Sequence, residues 1–227
     1  MNGTIEVAAA AVAFVGTHFL LSHPLRRPLV VRMGENGFLG VHSAVAAMTL
    51  VWLAMAYRAA PATPMLWPVG DALWAAASAV MLVASILLLG SLVGNPALPG
   101  PARAIREARG VFAITRHPMM WAFALWSVVH IAVYPVAANI VVAIAILILA
   151  LVGAHLQDRK KAALQPGTWP DWQRRTSYWP FAAIVAARAR FGGFGMHALA
   201  GGAIVWLGAT WAHMPLGGWA AGIWRWL

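Results

Sequence analysis

The sequence contains no cysteine and few charged residues, and each absence limits what the protein could do. Without cysteine there is no disulfide, no iron–sulfur cluster and no thiolate nucleophile. Any metal site must therefore use the eight histidines and six carboxylates. Charged residues make up 10% of the chain, whereas soluble domains have roughly 25%. This low fraction argues against a soluble domain and indicates an integral membrane protein.

Hydrophobic residues account for 62% of the chain and form six long apolar runs. These runs approach the roughly 20 residues that a helix needs to cross a bilayer. The predicted spans are residues 5–21, 37–57, 70–93, 118–133, 136–156 and 196–213. Glu6 lies near the start of the first span with no basic residue before it, so we do not expect a cleaved signal peptide. The sequence therefore predicts an all-α, polytopic membrane bundle in a single domain over residues 1–227.

The basic residues are concentrated in alternate loops. A net charge of +10 would also suit a nucleic-acid partner, but positive charge beside membrane spans is better explained by the positive-inside rule. Three loops are rich in basic residues, and they follow the first, third and fifth spans. They hold, in that order, Arg26, Arg27 and Arg32; Arg103, Arg106, Arg109 and Arg116; and Arg159, Lys160, Lys161, Arg174, Arg175, Arg188 and Arg190. The opposite side holds only Arg58 and Arg225. We therefore expect these loops in the cytoplasm, both termini on the periplasmic side, and no nucleic-acid partner.

Turn signals divide the spans. Gly94-Asn95-Pro96 and Leu98-Pro99-Gly100-Pro101 end the third span, and Tyr134-Pro135 predicts a tight hairpin between the fourth and fifth. Residues 102–114 carry charges along one side and predict a short interfacial helix. Residues 165–180 are rich in tryptophan, proline and arginine, which indicates an ordered loop at the membrane surface.

Two of the eight histidines lie deep in predicted spans, where a buried polar ring is costly and usually functional. His18 lies in the first span, and His130 lies inside the fourth. His117 is thirteen residues before His130, so at 100° per residue the two side chains point about 140° apart. His130 therefore needs a partner on another helix, as in bundles that hold haem iron. His18 is the most buried candidate for this partner. Counting residues along the two helices places His18 about 10 Å nearer the cytoplasmic face than His130.

The remaining histidines have less demanding positions. His23, His197 and His213 lie near the headgroup regions, where an imidazole is comfortable without any function. His155 closes the fifth span three residues before Asp158. The two share a helix face, so the carboxylate could orient the imidazole.

Five short motifs follow one another along the chain. They are Thr17-His18-Phe19 with Arg26 and Gly34-Glu35; Thr115-Arg116-His117-Pro118-Met119 with His130; Asp158-Arg159; Arg174-Arg175-Thr176-Ser177; and Trp179-Pro180-Phe181-Ala182-Ala183-Ile184. In these motifs the chain resembles the NnrU family of bacterial membrane proteins, which includes the plant 15-cis-zeta-carotene isomerase. The resemblance covers about residues 10–185, and the extra helix at 196–213 matches loosely.

The resemblance implies a haem b held in the bacterial inner membrane. It makes His130 and His18 the iron ligands, with His23 as the alternative to His18. A third functional histidine of the isomerase corresponds to Tyr57-Arg58 here, so the chain departs from the isomerase at that point. In bacteria the family is associated with denitrification and nitric oxide metabolism.

A weaker resemblance connects the chain with the isoprenylcysteine and phospholipid methyltransferases. It rests on Arg116-His117-Pro118 at a helix start, a downstream acidic residue and an aromatic loop ending in proline. Met120 stands where those enzymes commonly have tyrosine, and Asp158-Arg159 replaces their paired glutamates. The resemblance implies a cofactor pocket facing the cytoplasm, with Arg116 supplying charge, His117 a donor and Asp158 the counter-ion. The alternative is an Arg116–Asp158 ion pair that only closes the bundle.

Three functions remain open. The first is a haem-dependent cis–trans isomerase of a lipid-soluble polyene, with His130 and His18 as catalytic residues. Its apolar pocket would be lined by Met119, Met120, Trp121 and Trp126. The second is a non-catalytic haem or nitric oxide handling protein that supports denitrification, with respiratory membrane proteins as partners. The third is a membrane methyltransferase that uses S-adenosylmethionine. The expected partners are membrane lipid and an apolar small-molecule substrate.

Overall fold

The computed structural model describes residues 2–98 and 107–227, and its regular structure is entirely helical. Over these residues it contains nine α-helices, one short 3-10 helix and no strand. The α-helices are α1 (Asn2–Ser22), α2 (Arg26–Ala59), α3 (Asp71–Gly90), α4 (Val111–Ile114), α5 (Pro118–Val133), α6 (Ala137–Leu164), α7 (Trp169–Arg175), α8 (Ala182–Val185) and α9 (Met196–Gly217). The 3-10 helix is Gly222–Arg225. The predicted all-α membrane fold is confirmed.

Four helices in the described part of the chain are long and apolar enough to cross a membrane, namely α1, α2, α3 and α6. Helix α5 has 16 residues, or roughly 24 Å of helix, which is short for a span. Helix α9 has 22 residues, but its histidines, glycines and tryptophans make it less apolar than these four. Helices are present in all six predicted spans, but in the described part of the chain only four of them are both long enough and apolar enough to cross a membrane.

Helix α2 begins at Arg26, well before the predicted start at residue 37. Gly34 has φ 73° and ψ 171°, a conformation that only glycine adopts without strain, and it breaks the helix in two. The arginines at 26, 27 and 32, predicted to lie in a loop, therefore lie on a helical segment before the break. Nη2 of Arg26 donates across the break to Oε1 of Glu35 at 2.6 Å.

The bundle has two distinct ends. At the first, which we call the basic end, α5 begins and α6 finishes, and Lys161 donates to the carbonyls of Pro96 and Leu98 at 3.0 and 3.2 Å. At the second, the hairpin end, α5 and α6 are joined by the predicted turn at Tyr134-Pro135. The N–H of Leu66 donates to the Pro135 carbonyl there at 2.9 Å. Helix α1 begins and α9 finishes at the hairpin end.

The helices pack in the order α2, α1, α6, α5, α3, α9. Small side chains allow close packing at these contacts: Ala10 on α1 and Ala143 and Ala154 on α6 are fully buried. On α9, a Cβ added to Gly202 would lie 2.7 Å from the Cα of Ile86 on α3. Helix α6 therefore separates α1 from α5, and α3 separates α5 from α9 over most of their length.

Two predicted loop features differ from the structure. Residues 107–110 are not helical, and only the final turn of the predicted interfacial helix, α4, is formed in the described residues. The rest of that helix, at 102–106, and residues 99–101 of the predicted turn lie outside the described residues. The segment 165–180 is ordered as predicted but contains α7, which buries Trp169 and Trp172 at 0% and 3% exposure.

Candidate functional site

Asp158 is the centre of a buried polar cluster at the basic end. Arg116 donates from Nε to both carboxylate oxygens, at 3.0 and 2.8 Å, and from Nη2 to Oδ2 at 2.6 Å. His117 donates from Nε2 to Oδ1 at 2.9 Å. The side chains of Arg116, His117 and Asp158 are 12%, 1% and 8% exposed. The structure therefore brings together the three residues that the sequence assigned to a cofactor pocket, and the alternative Arg116–Asp158 ion pair is also present.

The loop after α7 holds the start of α5 in position. Oγ1 of Thr115 donates to the Tyr178 carbonyl at 2.8 Å, and the N–H of Arg116 donates to the Ser177 carbonyl at 2.9 Å. Pro118 is the first residue of α5, where its missing N–H costs no hydrogen bond. The second and fourth sequence motifs thus fold together, since Ser177 of the fourth supplies a carbonyl that fixes Arg116 of the second.

A cavity of about 470 Å³ opens beside this cluster. Its wall consists of Arg116, Leu151, Val152, His155, Asp158, Tyr178 and Trp179. Asp158 occupies Nε and Nη2 of Arg116, whereas Nη1 has no hydrogen-bond partner among the described residues. Val152 and Trp179 are 42% and 62% exposed, so the cavity continues onto the outer surface of the bundle. These walls suit a small, mainly apolar molecule with one polar group.

The Tyr178 side chain closes one side of the cavity. Its hydroxyl donates to the Leu151 carbonyl on α6 at 2.7 Å. Burial raises the pKa of the Tyr178 phenol, Asp158 raises it further, and Arg116 opposes the change. The phenol therefore stays protonated around neutral pH and remains a donor.

One other expectation about this region is not met. The hydrogen bonds of Asp158 go to Arg116 and His117, and none of its described bonds goes to His155, which lies exposed on the cavity wall. The bidentate guanidinium competes better for the carboxylate than a neighbouring imidazole does. The residues predicted to line the isomerase's apolar pocket, Met119, Met120, Trp121 and Trp126, are not part of this cavity's wall, and their role stays a prediction.

His130, near the finish of α5, lies beside His213 of α9 at the hairpin end. The two ring centres are 6.2 Å apart, and the ring planes differ by 32°. His130 donates from Nδ1 to the Trp126 carbonyl at 2.8 Å, and His213 donates from Nδ1 to the Ala209 carbonyl at 2.7 Å. A carbonyl can only accept, so Nδ1 carries the proton in both rings. Nε2 is then the lone-pair atom of each neutral imidazole.

His18 lies beside His42 of α2 towards the basic end. The ring centres are 5.3 Å apart and the rings are nearly perpendicular, at 82°. His18 donates from Nδ1 to the Phe14 carbonyl at 2.7 Å, so it too presents Nε2. Nδ1 of His42 is buried without a partner in the described residues, and Phe38 stacks on its ring at 5.8 Å.

The structure does not bring His18 and His130 together. The Phe19 ring, next to His18, would lie 3.8 Å from a Cβ added to Gly153 of α6. The carbonyl of His130 accepts from Nδ2 of Asn139, near the other end of α6, at 2.8 Å. Asn139 and Gly153 are about 21 Å apart along the helix. This separation along the bundle is twice the gap expected from the sequence, and α6 also lies between α1 and α5.

The alternative ligand His23 does not close this gap. It lies between α1 and α2 at the basic end, where burial lowers its pKa and Lys160 lowers it further.

His42 and His213, which the sequence assigned to no site, are the nearest imidazoles to His18 and His130. The predicted topology carried a signal for His213, since the fourth and sixth spans both finish on the periplasmic side.

In a comparison with protein-family models, the family described as NnrU protein matches the chain over residues 6–221. The chain belongs to the NnrU family. The match extends past the resemblance at residues 10–185 and includes α9, so the last helix is part of the NnrU unit. No curated protein and no solved structure matches the chain.

Haem b is the cofactor that the NnrU resemblance implies, and the histidines fit it in part. A histidine that binds a metal through Nε2 normally donates Nδ1–H to a carbonyl or carboxylate. His18, His130 and His213 all have this arrangement. His18 and His130 are individually suitable ligands, but their separation prevents them from sharing one iron.

Proposed function

We propose that this NnrU protein binds haem b in the membrane and acts as a cis–trans isomerase of a lipid-soluble polyene. The observation that supports haem binding is the fixed tautomer of His130, whose Nδ1–H is held by the Trp126 carbonyl. The ring is half-buried and stacks on Trp126, with ring centres 4.0 Å apart. A half-buried imidazole whose Nδ1–H is held in this way keeps Nε2 for a metal.

Bound haem would supply a redox-active iron, and the chain's own residues would hold and surround it. His130 remains the proposed ligand on α5, and His18 remains a candidate at the basic end. The cavity beside Arg116 is the proposed entry for an apolar molecule, because Val152 and Trp179 open it towards the bilayer. Nη1 of Arg116 would hold a polar group at the inner end of such a molecule.

An absorption spectrum of the purified protein tests this function. After haem supplementation we expect a Soret band and a reduced-minus-oxidised difference spectrum, and His130→Ala should lose most of both. His197→Ala is the matched control, because His197 is exposed at the other end of the bundle. A wild-type protein that shows no Soret band after supplementation would refute haem binding. Retinoid- or carotene-like polyenes should then be tested for isomerisation by the haem-loaded protein.

Non-catalytic handling of haem or nitric oxide shares the same cofactor but predicts no polyene turnover. Its proposed partners are respiratory membrane proteins. A spectral change on adding nitric oxide, together with inactivity in a carotene isomerisation assay, would favour it over the isomerase. The opposite pair of results would favour the isomerase.

The proposed location is the bacterial inner membrane, with the basic end in the cytoplasm and both termini in the periplasm. Arg116, Lys160, Lys161 and the helical segment that begins at Arg26 lie towards the basic end, as the positive-inside rule requires. The start of α1 and the finish of α9 lie at the opposite end. Fusing a reporter that is active only in the periplasm to either terminus should give signal, and a cytoplasmic reporter should not.

A methyltransferase is a second candidate because the residues of that resemblance form one built site. Arg116, His117 and Asp158 are hydrogen-bonded together, and a cavity opens beside them. Calorimetry with S-adenosylmethionine tests this function. Binding by the wild type that is weakened by Arg116→Ala would support it, and no binding by the wild type would exclude it.

A further inference from the structure

We infer that His213 of α9 is the second iron ligand beside His130, in place of His18. This inference rests on the proposed haem binding and names the residue that completes the site. It assigns a role to the last helix, which the sequence motifs left without one.

The spacing of the two rings is the first argument. A metal-bound imidazole nitrogen lies about 2.0 Å from the metal, and the ring centre lies about 1.1 Å further out. Two imidazoles on opposite sides of one iron therefore have ring centres roughly 6 Å apart. The ring centres of His130 and His213 are 6.2 Å apart, with a modest tilt of 32°. The measured spacing of the two ring centres therefore matches the spacing that shared ligation of one iron requires.

The hydrogen bonds of the two rings are the second argument. Each Nδ1–H is held by a carbonyl of its own helix, at 2.8 Å for His130 and 2.7 Å for His213. In the tautomer that these bonds fix, each ring has its lone pair on Nε2 and its only N–H already donated to a carbonyl. Such a pair has no hydrogen bond to make between its rings, whereas a metal satisfies both lone pairs.

The pair at the other end fits axial ligation less well. The rings of His18 and His42 are 5.3 Å apart and nearly perpendicular, which is the edge-to-face packing of aromatic rings. Nδ1 of His42 has no partner in the described residues, so no hydrogen bond fixes its tautomer. Stacking on Phe38 gives His42 an adequate packing role without a metal.

The C-terminal segment fixes the position of His213. Nε1 of Trp224 donates to the Leu207 carbonyl on α9 at 3.1 Å. Nη2 of Arg225 lies 2.9 Å from Oδ1 of Asp71 at the start of α3. These contacts attach the end of α9 to α3, against which α5 also packs. The two histidines are therefore held near each other by a third helix.

Electron paramagnetic resonance and absorption spectra of the haem-loaded protein test the assignment. The wild type should be six-coordinate and low-spin, with two imidazole ligands. His213→Ala should become high-spin with haem affinity reduced roughly tenfold or more, and added imidazole should restore the low-spin signal. His213→Met, which keeps a ligand of another type, should stay low-spin with a raised reduction potential. The same-helix control His197→Ala should retain the wild-type spectrum.

The outcomes separate this inference from the proposed function. A His213→Ala protein that binds haem and remains six-coordinate would overturn the inference while leaving haem binding intact. Conversion to high-spin by His18→Ala, with no change in His213→Ala, would return the second ligand to α1. A wild type without a Soret band would refute both the haem and its ligand. Unchanged circular dichroism of each variant checks that α9 is folded.

Discussion

Replacing Asp158 with asparagine is expected to destabilise the protein strongly, because Arg116 loses its counter-ion. The two side chains are 12% and 8% exposed, so water can solvate the remaining guanidinium only weakly. Removing one partner of a buried ion pair costs about 3–5 kcal/mol. In a chain of this length, each kcal/mol lost from the free energy of unfolding lowers Tm by roughly 2–4 °C. The expected fall in Tm is therefore roughly 6–20 °C.

Thermal unfolding of the purified protein in one detergent, followed by circular dichroism, measures this effect. The matched control is Asp171→Asn on α7. Asp171 pairs with Arg174 and Arg175, but its side chain is 38% exposed and the arginines are 72% and 50% exposed. Exposed pairs contribute about 0–1 kcal/mol, so this control should change Tm little. The reasoning is refuted if Asp158→Asn lowers Tm no more than the control does.

A double variant separates the loss of the pair from the loss of one residue. Arg116→Met combined with Asp158→Leu removes both charges and keeps apolar volume at the site. Apolar replacements of buried ion pairs are often close to neutral, so the double variant should be more stable than either single variant. His117 loses an acceptor in both cases, which limits the recovery to part of the loss. Losses that simply add would show that the two charges are not coupled.

Three further predictions concern packing and polar contacts. Tyr178→Phe removes the hydrogen bond to α6 and should lower the free energy of unfolding by about 1 kcal/mol. In the wild type, ultraviolet titration should show that the pKa of the Tyr178 phenol lies above the usual tyrosine value. Gly202→Val should destabilise by about 1–3 kcal/mol, because α3 leaves no space for a Cβ, whereas Gly208→Val, with nothing near its Cβ, should not. Lys161→Met leaves two loop carbonyls without a donor and should cost about 1–3 kcal/mol, measured by the same unfolding assay.

Local features of the fold could be predicted because they depend on neighbouring residues. Tyr134-Pro135 interrupts an apolar run and forms the expected hairpin. The extent of α2 could not be predicted from hydropathy, because the helix continues into the charged residues after Arg26. Gly34 gave no signal of the break, since an isolated glycine in a polar stretch is equally consistent with a loop.

The histidine site shows a different limit. Helical periodicity predicts correctly that His117 and His130 point in different directions, since they lie in separate sites at the two ends of α5. It does not predict which helices are neighbours. That order depends on close contacts between small side chains, such as Ala143 and Ala154 of α6, and alanines are too common in this chain to identify one contact. The pairing of His18 with His130 was therefore a choice between helices that the sequence could not make.

The packing order has a consequence for how the protein enters the membrane. Helices α1 and α2 leave the ribosome before α6, the next neighbour of α1, which follows only after α3 and α5. During synthesis the α1–α2 pair must therefore be tolerated in lipid by itself. The hydrogen bond from His18 to the Phe14 carbonyl and the contact between the His18 and His42 rings are both made within this pair. The two imidazoles thus shield each other before the rest of the bundle arrives, which makes the first two helices a unit of insertion.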